Sequence, residues 1–62
     1  MKSMYFYRHI LLCKTHAWEL ENAFIERNMK DEVAEIRQSK EADTANCYCC
    51  LKQINPREAF GL

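Results

Sequence analysis

Apolar residues fall into distinct patterns along the chain, and each pattern predicts a different element. Residues Met4 to Leu12 read Met-Tyr-Phe-Tyr-Arg-His-Ile-Leu-Leu. Aromatic and β-branched side chains are dense there, which predicts a short strand delivering Cys13. A helix start is the alternative, because so short an apolar run carries no periodicity to decide between them. From Thr15 to about Ala42 the chain has no Gly or Pro and is rich in Ala, Glu, Lys, Leu and Met, which predicts helix. Thr15 is the expected N-cap, and Glu19 and Glu21 place negative charge near the positive end of the helix dipole. On a helical projection Trp18, Ile25, Met29, Val33 and Ile36 fall within an arc of roughly 80°. Ala17, Leu20 and Phe24 form a second stripe roughly 100° away, confined to the first half.

One unbroken helix of that length is roughly 40 Å long. Its two ends meet only if the chain doubles back, and Asn28 offers the place. Arg27 would finish one helix, Asn28 would cap the next, and Asp31 and Glu32 would occupy its first turn. The result is a helical hairpin from about His16 to Arg27 and Met29 to Ala42. The competing arrangement is a straight helix that meets a second copy of the chain in an antiparallel dimer. Residues Ser39 to Asn46 are polar and read as an exit loop. Asn55-Pro56-Arg57-Glu58 reads as a further helix start, with Asn as N-cap and Pro at the first position. Phe60 and Leu62 would dock that last turn or bind something else. The expected fold is mainly α: a helical hairpin or one long helix, a short N-terminal strand, and a C-terminal Cys-rich knuckle.

Size changes the picture. The chain has 62 residues, enough for a single domain over 1–62. Such a chain buries only ~60% of the surface it exposes when unfolded, so its core needs a staple or a partner. Nine basic and nine acidic residues cancel, and no Lys/Arg cluster gives the footprint of a nucleic-acid binder. The longest apolar run, Ile10 to Cys13, falls far short of the ~20 residues a membrane span needs. Arg8 and His9 interrupt the N-terminal apolar stretch, and no small-residue cleavage site comes after it, so the chain reads as cytoplasmic. In a reducing compartment its four cysteines read as thiols or metal ligands before disulfides.

Those cysteines carry the candidate chemistry. Cys13-Lys-Thr-His16 and Cys47-Tyr-Cys-Cys50 are two ligand pairs of x-x spacing bracketing the helical stretch. Thiolate and imidazole are preferred zinc ligands, and two such pairs complete one four-coordinate site. Plain thiols, with Cys13 as a small buried hydrophobe, and a disulfide are the alternatives. Cys49 is the surplus thiol, free or in place of Cys47 as a ligand. His9 becomes a ligand candidate only if the N-terminus is helical. The strand, Cys-x-x-His and helix around Cys13 and His16 resemble the C-terminal half of a treble-clef zinc finger. Cys47 to Lys52 resembles its first knuckle, although here that piece comes last rather than first. The two pieces cover about 15 residues, and the resemblance implies a role in binding and scaffolding.

Catalysis finds no support in the sequence. Cys13 and His16 could form a dyad, but no third orienting group or oxyanion hole is evident. Gly61 is the only glycine, so no phosphate-binding loop exists. The acidic residues from Glu19 to Glu35 read as a solvated helical face, with pairs such as Glu26 and Lys30 at i,i+4 spacing. The expected function is a small, non-enzymatic, zinc-stapled protein-binding factor that regulates or inhibits a larger protein. Trp18, Ile25, Met29, Val33 and Ile36 would form its contact surface, or else the chain's own core. Two alternatives are a zinc-free helical homodimer and a minor nucleic-acid-binding zinc module using Arg8, Lys14, Lys52 and Arg57.

Overall fold

The computed structural model describes residues 4–40 and 44–62. Its elements are β1 (Met4–Tyr7), β2 (Ile10–Cys13), α1 (Lys14–Glu26), α2 (Lys30–Val33), β3 (Ile36–Ser39), a 3-10 turn (Thr44–Asn46), α3 (Tyr48–Lys52) and α4 (Pro56–Ala59). The strands form one antiparallel sheet in the order β2-β1-β3. The fold is therefore a small mixture of sheet and short helices, and the expected mainly-α fold, whether a helical hairpin or one long helix, is overturned.

The first correction lies at the N-terminus. The run Met4 to Leu12 is not one strand but two, paired Tyr7 to Ile10 and Met4 to Cys13. Arg8 and His9 form a two-residue loop, with Arg8 at φ 58°. Positive φ at the first loop position is what such tight hairpins require, and Gly usually supplies it. Here a side chain occupies it: Arg8 lies over the Tyr7 ring, 5.2 Å from its centroid, and its Nη2 is 3.9 Å from Glu32.

The second correction is the end of α1. Asn28 does not cap a second long helix; it closes the first one. Its backbone is left-handed at φ 60°. Its N–H donates to the carbonyl of Ile25 at 3.0 Å, and the N–H of Met29 donates to that of Phe24 at 2.7 Å. These two bonds satisfy carbonyls the helix would otherwise leave orphaned, the usual reason for a left-handed residue at this position. Asn is the side chain that tolerates it best after Gly. The chain then makes only a single helical turn, α2, before it enters β3. Ile36, placed by periodicity on a helical seam, instead sits beside Tyr7 in the sheet. The exit loop expected over 39–46 lies partly outside the described residues, as does the helix end expected near Ala42.

The same closure recurs twice. At the end of α3, Gln53 is left-handed at φ 55°, and the N–H of Ile54 donates to the carbonyl of Cys49 at 3.1 Å. At the end of α4, Gly61 is at φ 69°, and the N–H of Leu62 donates to the carbonyl of Arg57 at 2.7 Å. The start of α4 is as expected from the sequence: the N–H of Arg57 donates to Asn55 Oδ1 at 2.8 Å, with Pro56 in the first turn.

Met4, Tyr7, Leu12, Ala17, Leu20, Phe24, Cys47 and Cys49 form one buried cluster. Helix α1 thus buries the Ala17–Leu20–Phe24 stripe rather than the Trp18–Ile25 one. Tyr7 is the hinge of the packing, its ring centroid 5.3 Å from Phe24 and 5.4 Å from Phe60. Its hydroxyl donates to Glu32, tying α2 to the hairpin. Phe60 and Leu62 pack against the core as expected, and Arg57 Nη2 donates to Glu26 Oε2 at 2.5 Å, holding α4 beside α1. Among the described residues no helix is long and apolar enough to cross a membrane.

Candidate metal centre

Both ligand pairs sit at helix starts, in the same two positions. Cys13 is the last residue of β2 and the N-cap of α1, with extended backbone at φ −71°, ψ 166°. Cys47 is the N-cap of α3, at φ −63°, ψ 124°. His16 and Cys50 are the third residues of those two helices. An N-cap side chain and the third helical side chain face one another across the first turn, the relation that capping boxes exploit. The x-x spacing therefore works without the Gly or Pro that tight metal knuckles often carry. Thr15, the N-cap expected from sequence, lies one residue inside α1 from its first position, and Cys13 takes the capping place.

The two helix starts converge. His16 Nδ1 lies 3.2 Å from Cys13 Sγ, 3.2 Å from Cys47 Sγ and 3.5 Å from Cys50 Sγ. Cys13 Sγ is 4.0 Å from Cys50 Sγ, and all four ligand atoms lie within 4.8 Å of one another. Metal–sulfur bonds of ~2.3 Å and metal–nitrogen bonds of ~2.05 Å in a tetrahedron give edges of ~3.8 Å between sulfurs and ~3.6 Å from sulfur to nitrogen. The three sulfur–nitrogen edges, 3.2 to 3.5 Å, are shorter than the tetrahedral value, and the Cys13–Cys50 sulfur edge of 4.0 Å is slightly longer. Cys13, His16, Cys47 and Cys50 are thus positioned to bind a metal ion, and no disulfide joins any of the cysteines.

Cys49 and His9 are not part of this set. Cys49 comes directly after the first position of α3 and turns into the core, 1% exposed. His9 occupies the exposed loop at the far end of the hairpin from Cys13. Of the expected contact residues, Trp18, Ile25 and Met29 are exposed, while Val33 and Ile36 are half-buried. They do not share one helix. Trp18, Val33 and Ile36 instead border one surface groove with Tyr5 and Ala17. The signal missed in the sequence was the N-cap itself, because Cys is not among the side chains that ordinarily mark it.

The thiols differ in acidity. Burial alone would push Cys47 up, but backbone hydrogen bonds from Cys13 and Cys50 and the side chains of His16 and Cys50 together bring it down to about 6. Cys50 is pushed up to about 12, first by its hydrogen bond to Cys47 and then by burial. Burial, and then the negative charge of Cys47 and Cys13, push Cys49 up to about 11 and keep it a thiol. A metal ion competes with protons for its ligands, so affinity falls as pH falls. Above about pH 6 Cys47 enters the site already deprotonated; below it, metal uptake must expel that proton as well. The fall in log affinity per pH unit is expected to steepen by about one below that point. A chelator-competition titration on either side of it would read the change, and an unbroken slope would refute it.

No protein-family model matches the chain, and no curated protein or solved structure matches it either.

Proposed function

We propose that the four residues hold one structural zinc ion and that the chain is a small, non-enzymatic protein-binding factor, a regulator or inhibitor of a larger protein. The convergence of Cys13, His16, Cys47 and Cys50 from two helix starts carries this reading. Three sulfurs and one imidazole nitrogen within 4.8 Å of one another suit zinc, whereas carboxylate-rich octahedral sets suit magnesium or calcium. Four protein ligands complete the coordination. Catalytic zinc sites keep one position open for water, and a closed set supports a stapling role instead.

The binding role draws on what the core leaves outside. Trp18 is 62% exposed and Leu51 67%, with Ile25 half exposed. Trp18 borders one groove with Tyr5, Val33 and Ile36, and a contiguous apolar surface of this kind favours an interface. A nucleic-acid role draws less support, since Arg8 and Arg57, two of the four basic residues it would use, already engage Glu32 and Glu26.

Native mass spectrometry of protein purified without added metal or chelator tests the reading. One zinc per chain at monomer mass would support a stapled binding factor, with Trp18→Ala then expected to leave the metal content unchanged. A metal-free chain with four reactive thiols would overturn it.

A further inference from the structure

The thiols of the metal centre are unequal in their access to solvent. Cys47 is buried, Cys13 half-buried and Cys50 exposed. Cys50 also has a second sulfur of the site, Cys13 Sγ, at 4.0 Å, while the surplus thiol Cys49 is buried in the core. Thiol oxidation depends on thiolate character, on exposure and on a nearby resolving thiol. A bound zinc ion would deprotonate all three ligand thiols alike, so exposure and the neighbouring sulfur single out Cys50. We propose that Cys50 is the entry point of a reversible peroxide-driven switch, in which a Cys13–Cys50 disulfide forms and the ion is discharged. The switch rests on the zinc reading of the site.

The chemistry balances with hydrogen peroxide as the oxidant. The Cys50 sulfur attacks one peroxide oxygen, the O–O bond breaks, and the departing hydroxide takes a proton to become water. Cys50 is then a sulfenic acid. The Cys13 thiolate attacks the Cys50 sulfur, the S–S bond forms, and the S–O bond breaks to release a second hydroxide, protonated in turn. Two thiolates, one peroxide and two protons give one disulfide and two waters; the sulfurs are oxidised and the peroxide is reduced. With two of four ligands consumed, His16 and Cys47 remain, too few to retain zinc tightly. The new bond joins the β2–α1 junction to α3, so it replaces the lost tie between the same two segments.

That substitution gives the switch its signature. Zinc-loaded protein would be treated with hydrogen peroxide in the presence of a chromophoric zinc indicator, with disulfides mapped by peptide mass spectrometry. The expected result is one zinc released per disulfide, a Cys13–Cys50 linkage, circular dichroism close to that of the zinc form, and rebinding of zinc after dithiol reduction. Cys49→Ala is expected to release zinc with the same stoichiometry and linkage. Retained zinc, a disulfide that includes Cys49, or over-oxidation of Cys50 without a disulfide would overturn the switch. The zinc-to-chain ratio is read before peroxide is added. A ratio of zero overturns the zinc reading and the switch together; a ratio of one with no subsequent release overturns the switch alone.

Discussion

Replacement of Cys47 by Ser is expected to abolish stoichiometric zinc binding and to unfold the chain at ambient temperature. Cys47 is the most consequential of the four candidate ligands because it is also a fully buried member of the core. Structural zinc contributes ~10–16 kcal/mol of apparent binding free energy at neutral pH in small zinc peptides. A core in a chain of this size supplies only ~3–5 kcal/mol. On the proposed zinc reading the metal contribution is the larger of the two, so removing it would leave little to hold the two segments together. Excess chelator acting on the unaltered protein is expected to have the same effect, read as loss of helical circular dichroism. Cys49→Ala is the matched control: an equally buried cysteine in the same helix, but not a ligand. It is expected to keep one zinc per chain and a folded spectrum. If Cys47→Ser retained both zinc and fold, the site would have to be built from other ligands.

Leu20→Ala is expected to lower the midpoint of thermal unfolding of the zinc form by roughly 10 °C or more. Leu20 is wholly buried on the face of α1 that joins the core cluster. Truncating such a leucine costs about 2–5 kcal/mol, from lost transfer free energy and the cavity left behind. In a domain of this size each kcal/mol moves the midpoint by about 4–8 °C. Trp18 is a larger side chain on the same helix, yet it is mostly exposed. Trp18→Ala is therefore expected to shift the midpoint by no more than a few degrees, the usual range for surface substitutions. Equal shifts from the two variants would mean that α1 presents its other face to the core.

The contrast between Leu20 and Trp18 also marks how much of this protein was legible in its sequence. Both apolar stripes on α1 were visible, but the longer one, from Trp18 to Ile36, was an artefact of extending the helix through Asn28. Periodicity cannot register a break that costs a single residue, and absence of Gly argued against one. A left-handed residue costs roughly 1–2 kcal/mol when it is not Gly. Asn28 lowers that cost through its short polar side chain, and Gln53 carries it with no such help. Arg8 hid the hairpin in the same way, by placing a long side chain where a turn glycine was looked for. The candidate metal ligands were legible because their spacing depends on type and count alone. Their convergence was legible too, though for the wrong reason. The ends meet because a strand returns along β1, not because two helices run antiparallel. Asn55 and Pro56 could be read correctly since their capping chemistry is local.

The strand order has a consequence for how the molecule is made. β1 precedes the other two strands in the chain yet lies at the centre of the sheet. The β1–β2 hairpin and α1 are contiguous, so these contacts can form as soon as the chain through Glu26 has left the ribosome. Hairpins and helices form on the microsecond scale. That fragment carries Cys13 and His16, the first pair of candidate ligands. β3 and the second pair of ligands arrive later, at translation speeds of ~5–20 residues per second. For that interval one edge of β1 has no strand beside it and the first pair has no complement. A metal ion taken up by the four residues could therefore be enclosed only after the second pair has arrived.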